Sequence, residues 1–137
     1  MLRAFILTPH ILDYQNVKVY LTELSEERHI QGTVYEFGNF FANGQTWEVA
    51  IAEIAAGNSD TALETKRAIA YWKPNVVLSV GVATGLKDVA AGDVVAVIEV
   101  YSYESGKATE SGFFPRSKIG LASYRLERKH LQKEKIG

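Results

Sequence analysis

Along this chain, short apolar runs of strand type take turns with longer stretches of helical spacing, and that succession predicts an α/β fold. Ala4 to Leu7 is the first apolar run. Thr8-Pro9-His10 breaks it before a segment whose apolar positions, Leu12, Val17, Val19, Tyr20, Leu21 and Leu24, suit an amphipathic helix. Ser25 to Gln31 is polar and charged and reads as a loop. Two alternating runs follow, Thr33 to Phe37 and Trp47 to Ala52, with the hairpin-type signal Asn43-Gly44 between them. Asn58, Ser59 and Asp60 offer capping side chains to a helix from Thr61 to Trp72, with Ala62, Thr65, Ile69 and Trp72 expected on one face. Pro74 and Asn75 stop it.

Val76 to Val80 is a short, continuous, valine-rich run, which places it at the centre of a parallel or mixed sheet covered by helices. Val94 to Ile98 is the next strand expected. Tyr101 to Lys118 loses all periodicity and carries Gly106, Gly112 and Pro115, as a long loop does. Leu121 to Lys133 has few apolar positions and many charges, and reads as a largely solvated helix. The expected architecture is a central mixed sheet flanked by helices, in a single domain spanning residues 1–137.

Composition narrows the partners more than the fold. Fifteen basic and sixteen acidic residues give a formal net charge of -1, so the chain has no electrostatic footprint for nucleic acid or a membrane surface. A small molecule is the better partner. The absence of cysteine removes disulfides, thiolate nucleophiles and cysteine metal sites together. His10, His29 and His130 are scattered without metal-ligand spacing, so neither a metal nor a cofactor is expected. The N-terminal apolar run is too short for a signal peptide or a membrane span, and a cytoplasmic location follows by default.

Three places could carry chemistry. Gly81-Val82-Ala83-Thr84-Gly85 closes the expected central strand, and ligands bind outside the carboxyl ends of strands in open α/β sheets. Two glycines bracketing small residues admit a flat ligand close to the backbone, or serve turn geometry alone. Asp13 falls in a first helical turn, where a carboxylate is favoured by the helix dipole, so helix-start chemistry explains it as well as catalysis does. Ala56 and Gly57 open the second helix, where free N–H groups could hold an anion or a ribose, and where capping is an equal account.

Taken together, Lys73-Pro74-Asn75-Val76-Val77, then Gly81 to Asp88, then Gly92-Asp93-Val94-Val95 resemble the ordered motifs of the nucleoside phosphorylase and nucleosidase superfamily. The resemblance is to the N-terminal half of domains like the 5′-methylthioadenosine/S-adenosylhomocysteine nucleosidases. Ala56-Gly57-Asn58 resembles the glycine turn opening that family's second helix. Tyr103 to Lys107 and Phe114-Pro115-Arg116 are similar to a loop of such domains fused to bacterial signalling proteins.

The resemblance implies a phosphorylase/hydrolase-like fold and cleavage of a purine nucleoside's N-glycosidic bond through an oxocarbenium-like ribosyl group. It places Asp13 where the family's water-activating carboxylate stands, one methylene shorter than the family's glutamate. Gly81, Val82, Ala83, Thr84 and Gly85 fall along purine and ribose, with Ala56 and Gly57 near them. Val82 is apolar and no arginine accompanies either glycine turn, so water rather than phosphate is the implied acceptor. Thr84 stands where the family has glycine and would narrow the pocket. The family's purine-protonating aspartate and ribose-gripping Met-Glu pair lie in a C-terminal half beyond this truncated chain. The alternative is accordingly a non-catalytic nucleoside-binding or oligomerisation module, and an uncovered apolar surface would favour a homo-oligomer.

Overall fold

In the computed structural model the mixed sheet is built around β1 (Leu2–Thr8), which has a parallel neighbour on each side: β4 (Gln45–Glu53) and β5 (Val76–Ser79). Antiparallel strands β3 (Val34–Ala42) and β2 (Thr22–Arg28) extend it beyond β4, giving the order β2-β3-β4-β1-β5. Helices α1 (Ile11–Lys18) and α2 (Asn58–Trp72) connect the strands. The described residues are 1–28, 32–54, 58–102, 106–109, 112–115 and 118–121. Residues 1–84 make one compact unit, which holds this sheet, and residues 85–137 make a second.

Period-two alternation sorts the sheet's side chains onto two faces. Phe5 and Leu7 of β1, Tyr35 of β3, and Ala50 and Ala52 of β4 point to one face, where they pack with Ala68 of α2. Phe5, Ala50 and Ala52 are fully buried there. Burying a phenylalanine of this kind contributes about 1.5–3 kcal/mol. On the other face Ala4, Val49 and Ile51 pack with Leu21, and Tyr14 and Val17 of α1 lie against them. Helix α1 has eight residues and lies mainly against β1 and β4, and Leu78 of β5 is 40% exposed.

The hairpin is as expected: Asn43 and Gly44 both have positive φ, 52° and 75°, which a two-residue type I′ turn requires. So is the end of α2. Lys73 leaves the helix in the left-handed region at φ 51°, its N–H donates to the Ile69 carbonyl, and Pro74 prevents continuation. Asn75 then registers β5: its side-chain oxygen accepts from Arg3 N–H at 2.9 Å, and its own N–H donates to the Arg3 carbonyl at 2.8 Å.

Five expectations are corrected. The Val76 to Val80 run is at the edge of its sheet and not at the centre, because among the described residues β5 pairs with β1 alone. Residues 25–28, expected as loop, belong to β2, which also takes up residues 22–24 from the expected helical segment; the edge is blunted by Glu23, Glu26 and Glu27 and by a bulge at Glu23, φ 52°. The inward face of α2 carries Ala68, Thr65 and Trp72, while Ala62 and Ile69 turn outward. Val94 to Ile98 is not a strand: Val94 is 99% exposed, and no ladder takes these residues up.

The fifth correction lies in the second unit, where the expected long loop contains strands. β6 (Glu99–Ser102) pairs antiparallel with β9 (Lys118–Leu121), and β7 (Gly106–Thr109) with β8 (Gly112–Pro115). Glycines at 106 and 112 open strands here instead of marking disorder. The helix expected over 121–133 falls, after Leu121, outside the described residues.

Candidate functional site

The carboxyl ends of three parallel strands converge on one corner of the first unit. Ile54 N–H donates to the Thr8 carbonyl at 2.8 Å and Val80 N–H to the Leu7 carbonyl at 2.9 Å, carrying the ladder past the ends of β4 and β5. Thr8 is buried, and its hydroxyl donates to the Ala52 carbonyl at 3.4 Å. The chain leaves β1 through Pro9 and His10 and enters α1, so the first turn of α1 lies over this corner. It is the position at which open α/β sheets bind ligands.

Helix α1 is turned against its own hydropathy. Ile11 and Leu12 face solvent, Leu12 at 68% exposure, while Asp13 is only 8% exposed. The inward carboxylate stands beside Gly81: a Cβ placed there would lie 3.9 Å from Asp13 Oδ2 and 3.0 Å from the Pro9 ring. Gly81 has no positive φ, and residues 81–85 form neither a strand nor a turn. The glycine therefore serves close approach of two chain segments, not a sharp reversal.

Oδ2 of Asp13 is buried without a hydrogen-bond partner among the described residues. Such an acceptor costs about 1–3 kcal/mol unless a bound molecule supplies the donor. Asp13 also lines a cavity of about 640 Å³ that runs along the open sheet face from Trp47 and Phe40 to Val80, Gly81 and Val82. Its wall is apolar and aromatic and includes Tyr20; Asp13 and Asn16 are the polar exceptions, and among the described residues no lysine or arginine contributes.

On its other side α1 is held to the sheet by charge. Glu36 of β3 is 8% exposed and receives the Tyr14 hydroxyl and, at 2.8 Å, the Lys18 ammonium. Burial alone would raise the Glu36 carboxyl, but these two donors overcome that and hold it below its ordinary value. Tyr14 moves the opposite way, raised by burial and by its bond to the Glu36 carboxylate.

The structure thus brings together three of the sequence candidates, Asp13, Gly81 and Val82. Ala83 and Thr84 are exposed and outside the cavity wall, so Thr84 does not narrow it; Gly85 begins the second unit. Ala56 and Gly57 lie outside the described residues. Pro9, Asn16 and the Tyr14–Glu36–Lys18 cluster were not singled out from sequence. The four-residue spacing of Tyr14 and Lys18 was the available signal for the last. Among the described residues no group of three or more His, Cys, Asp or Glu could hold a metal, and no helix is long and apolar enough to cross a membrane.

Residues 8–135 match the family described as the Phosphorylase superfamily. The chain belongs to that superfamily. Its fold is similar to that of solved structures: an S-adenosylhomocysteine nucleosidase from Streptococcus pyogenes, in complex with 5-methylthiotubericidin, superposes with a TM-score of 0.75 at 14% identity. That match covers 98% of this chain and 58% of the other. A futalosine hydrolase mutant of Helicobacter pylori strain 26695 gives 0.71 at 20% identity, covering 98% and 61%. An ATP nucleosidase, Cap17, from Escherichia coli (strain KTE188) is 32% identical over 80 residues, which is 57% of this chain and 16% of that protein. The chain thus spans under two thirds of the length of each of these superfamily members.

Proposed function

We propose that the chain takes part in hydrolysis of a purine nucleoside's N-glycosidic bond, with Asp13 as the carboxylate that orients and deprotonates the attacking water. The observation that carries this reading is the buried Asp13 oxygen without a donor, set at the carboxyl ends of β1 and β5. A water held by Asp13 would give up its proton to the carboxylate as it meets the ribosyl cation, and the same negative charge would stabilise that cation. Gly81 and Val82 form the near wall against which purine and ribose lie, and the resemblance to the superfamily's motifs is what assigns Ala83, Thr84, Gly85, Ala56 and Gly57 to substrate binding. Structural relatives named as nucleosidases and hydrolases of nucleosides, and the curated relative named as an ATP nucleosidase, support the reaction class.

Purine departure also needs an acid, and the cavity wall offers no second carboxylate and no histidine among the described residues. That observation favours a second reading, a nucleoside-binding module without turnover. The proposal further takes the chain, as one nucleosidase-like domain, to self-associate and to work in the cytoplasm; exposed Leu78 and Val80 along β5 support association.

Adenine release from methylthioadenosine, S-adenosylhomocysteine and adenosine by the purified chain, followed by chromatography, separates the readings. Release that Asp13→Asn abolishes supports hydrolysis. Nucleoside binding by calorimetry without release supports the module, and neither binding nor release overturns both.

A further inference from the structure

Tyr14 and Val17 of the eight-residue α1 lie against the apolar cluster of the sheet, but that contact alone does not account for Leu12 outward and Asp13 inward. Asp13 is the sole fully buried residue of α1, and its Oδ2 gains no hydrogen bond there. Something else must set the rotation, and the strongest polar contact between α1 and the sheet is at Glu36. Tyr14 and Lys18, one helical turn apart, both reach this carboxylate, one oxygen each: Oε2 receives the tyrosine hydroxyl and Oε1 the ammonium. Two donors four residues apart on one short helix, fixed to one rigid acceptor, define both its rotation and its axial position. Asp13 precedes Tyr14 directly, so once Tyr14 and Lys18 face Glu36, the Asp13 side chain is carried about a hundred degrees round the helix, towards Gly81.

We propose that Glu36 is a positioning residue for Asp13: it sets the rotation of α1 and thereby holds the carboxylate in the cavity. This rests on the reading of Asp13 as the water-activating group. Glu36 is rigid enough for the task, since its strand is paired on both sides, with Glu26 opposite it on β2 and Ile51 on β4. The charged and titratable groups around the cluster are Tyr14 and Lys18 from α1, Glu26 from β2, and Glu53 from β4, which acts on Tyr14. Against the burial that would raise it, the Lys18 and Tyr14 donors hold the Glu36 carboxyl below its ordinary value.

The test uses the full chain with Glu36→Leu, Glu36→Gln and Lys18→Met. Readouts are amide hydrogen exchange along α1 and the carboxyl carbon resonance of Asp13 at neutral pH, assigned with Asp13→Asn. Glu36→Leu should speed exchange in α1 by roughly tenfold or more while α2 is unchanged, and should move the Asp13 resonance to that of a solvated aspartate. Glu36→Gln keeps an acceptor for Tyr14 and should restore most of both. If Glu36→Leu fails to fold, Lys18→Met should move both readouts in the same direction by less. An unmoved Asp13 resonance in a folded Glu36→Leu, or failing that in Lys18→Met, overturns the proposal. These readouts need no turnover, so a chain that releases no adenine yet shows the shift retains the positioning role and loses the hydrolytic one. Where adenine is released, kcat should fall at unchanged KM in Glu36→Leu; a rise in KM alone overturns the role.

Discussion

Asp13 and Gly81 come from opposite ends of the first unit's sequence and meet so closely that a single methyl at Gly81 would stand 3.9 Å from the Asp13 carboxylate. The same methyl would lie 3.0 Å from the Pro9 ring, a contact the ring must relieve by moving a few tenths of an ångström. Pro9 leads directly into α1, so the displacement reaches Asp13. Gly81→Ala is therefore expected to cost about 1 kcal/mol of stability in urea titration, the low end for overpacking, and to weaken nucleoside binding by more than the stability loss explains.

The core prediction concerns the other face of the sheet. Phe5 is fully buried, edge-on to Tyr35 with ring centroids 5.7 Å apart, and packed beneath α2. Phe5→Ala removes the ring and leaves a cavity the rigid sheet cannot close. A loss of about 3–5 kcal/mol is expected. A urea midpoint within error of the unaltered chain would mean that α2 does not pack as described.

Much of this architecture was legible in sequence where a local signal had one meaning. Asn43-Gly44 between two alternating runs can hardly be anything but a tight hairpin, and Lys73-Pro74 ends a helix for steric reasons. Position within a sheet is different. The apolar run Val76 to Val80 predicts a strand, not how many strands flank it, and that count depends on pairing between segments far apart in the chain. β2 was hidden for the converse reason: an edge strand gains from charge, so Thr-Glu-Leu-Ser-Glu-Glu-Arg looks like a loop. Asp13 was visible from spacing only as a helix-start residue, and its burial follows from the Glu36 contact, which joins residues 22 apart. Glycine 81 was visible too, read as room for close approach or as a turn, and the structure places it in close approach to Pro9 and Asp13.

Acid should loosen α1 before it unfolds the sheet. The Glu36 carboxyl titrates below its ordinary value of 4.5 when folded, because the Lys18 and Tyr14 bonds outweigh the burial that alone would raise it. A depressed carboxyl contributes stability that is complete above the unfolded value and lost as pH falls through the folded one. Tyr14 acts at the other extreme. Raised by burial and by Glu36, it contributes fully below its ordinary value of 10.0 and loses that contribution as pH rises towards its folded value. Urea stability plotted against pH should therefore fall on both sides, and Glu36→Gln should flatten the acid limb below about pH 4.5. An acid limb unchanged by that substitution would show that other carboxylates govern it.

The final prediction is that phosphate will not enter the reaction. A phosphate nucleophile brings one to two negative charges and needs cations or several N–H donors to hold it against the substrate. The cavity beside Asp13 is lined by aromatic and aliphatic side chains, with no lysine or arginine in its wall and a carboxylate at its head. Repulsion between two unit charges 4 Å apart is about 1 kcal/mol in water and about 4 kcal/mol near a protein surface, so the Asp13 charge works against the anion wherever the site excludes solvent. Adenine release, measured with and without phosphate at constant ionic strength, should be the same within error, and the sugar product should be free ribose or its 5′-substituted form. Acceleration by phosphate with formation of a sugar 1-phosphate would mean that cations from outside this wall complete the site, and would make Asp13 a ribose-binding group instead of a base.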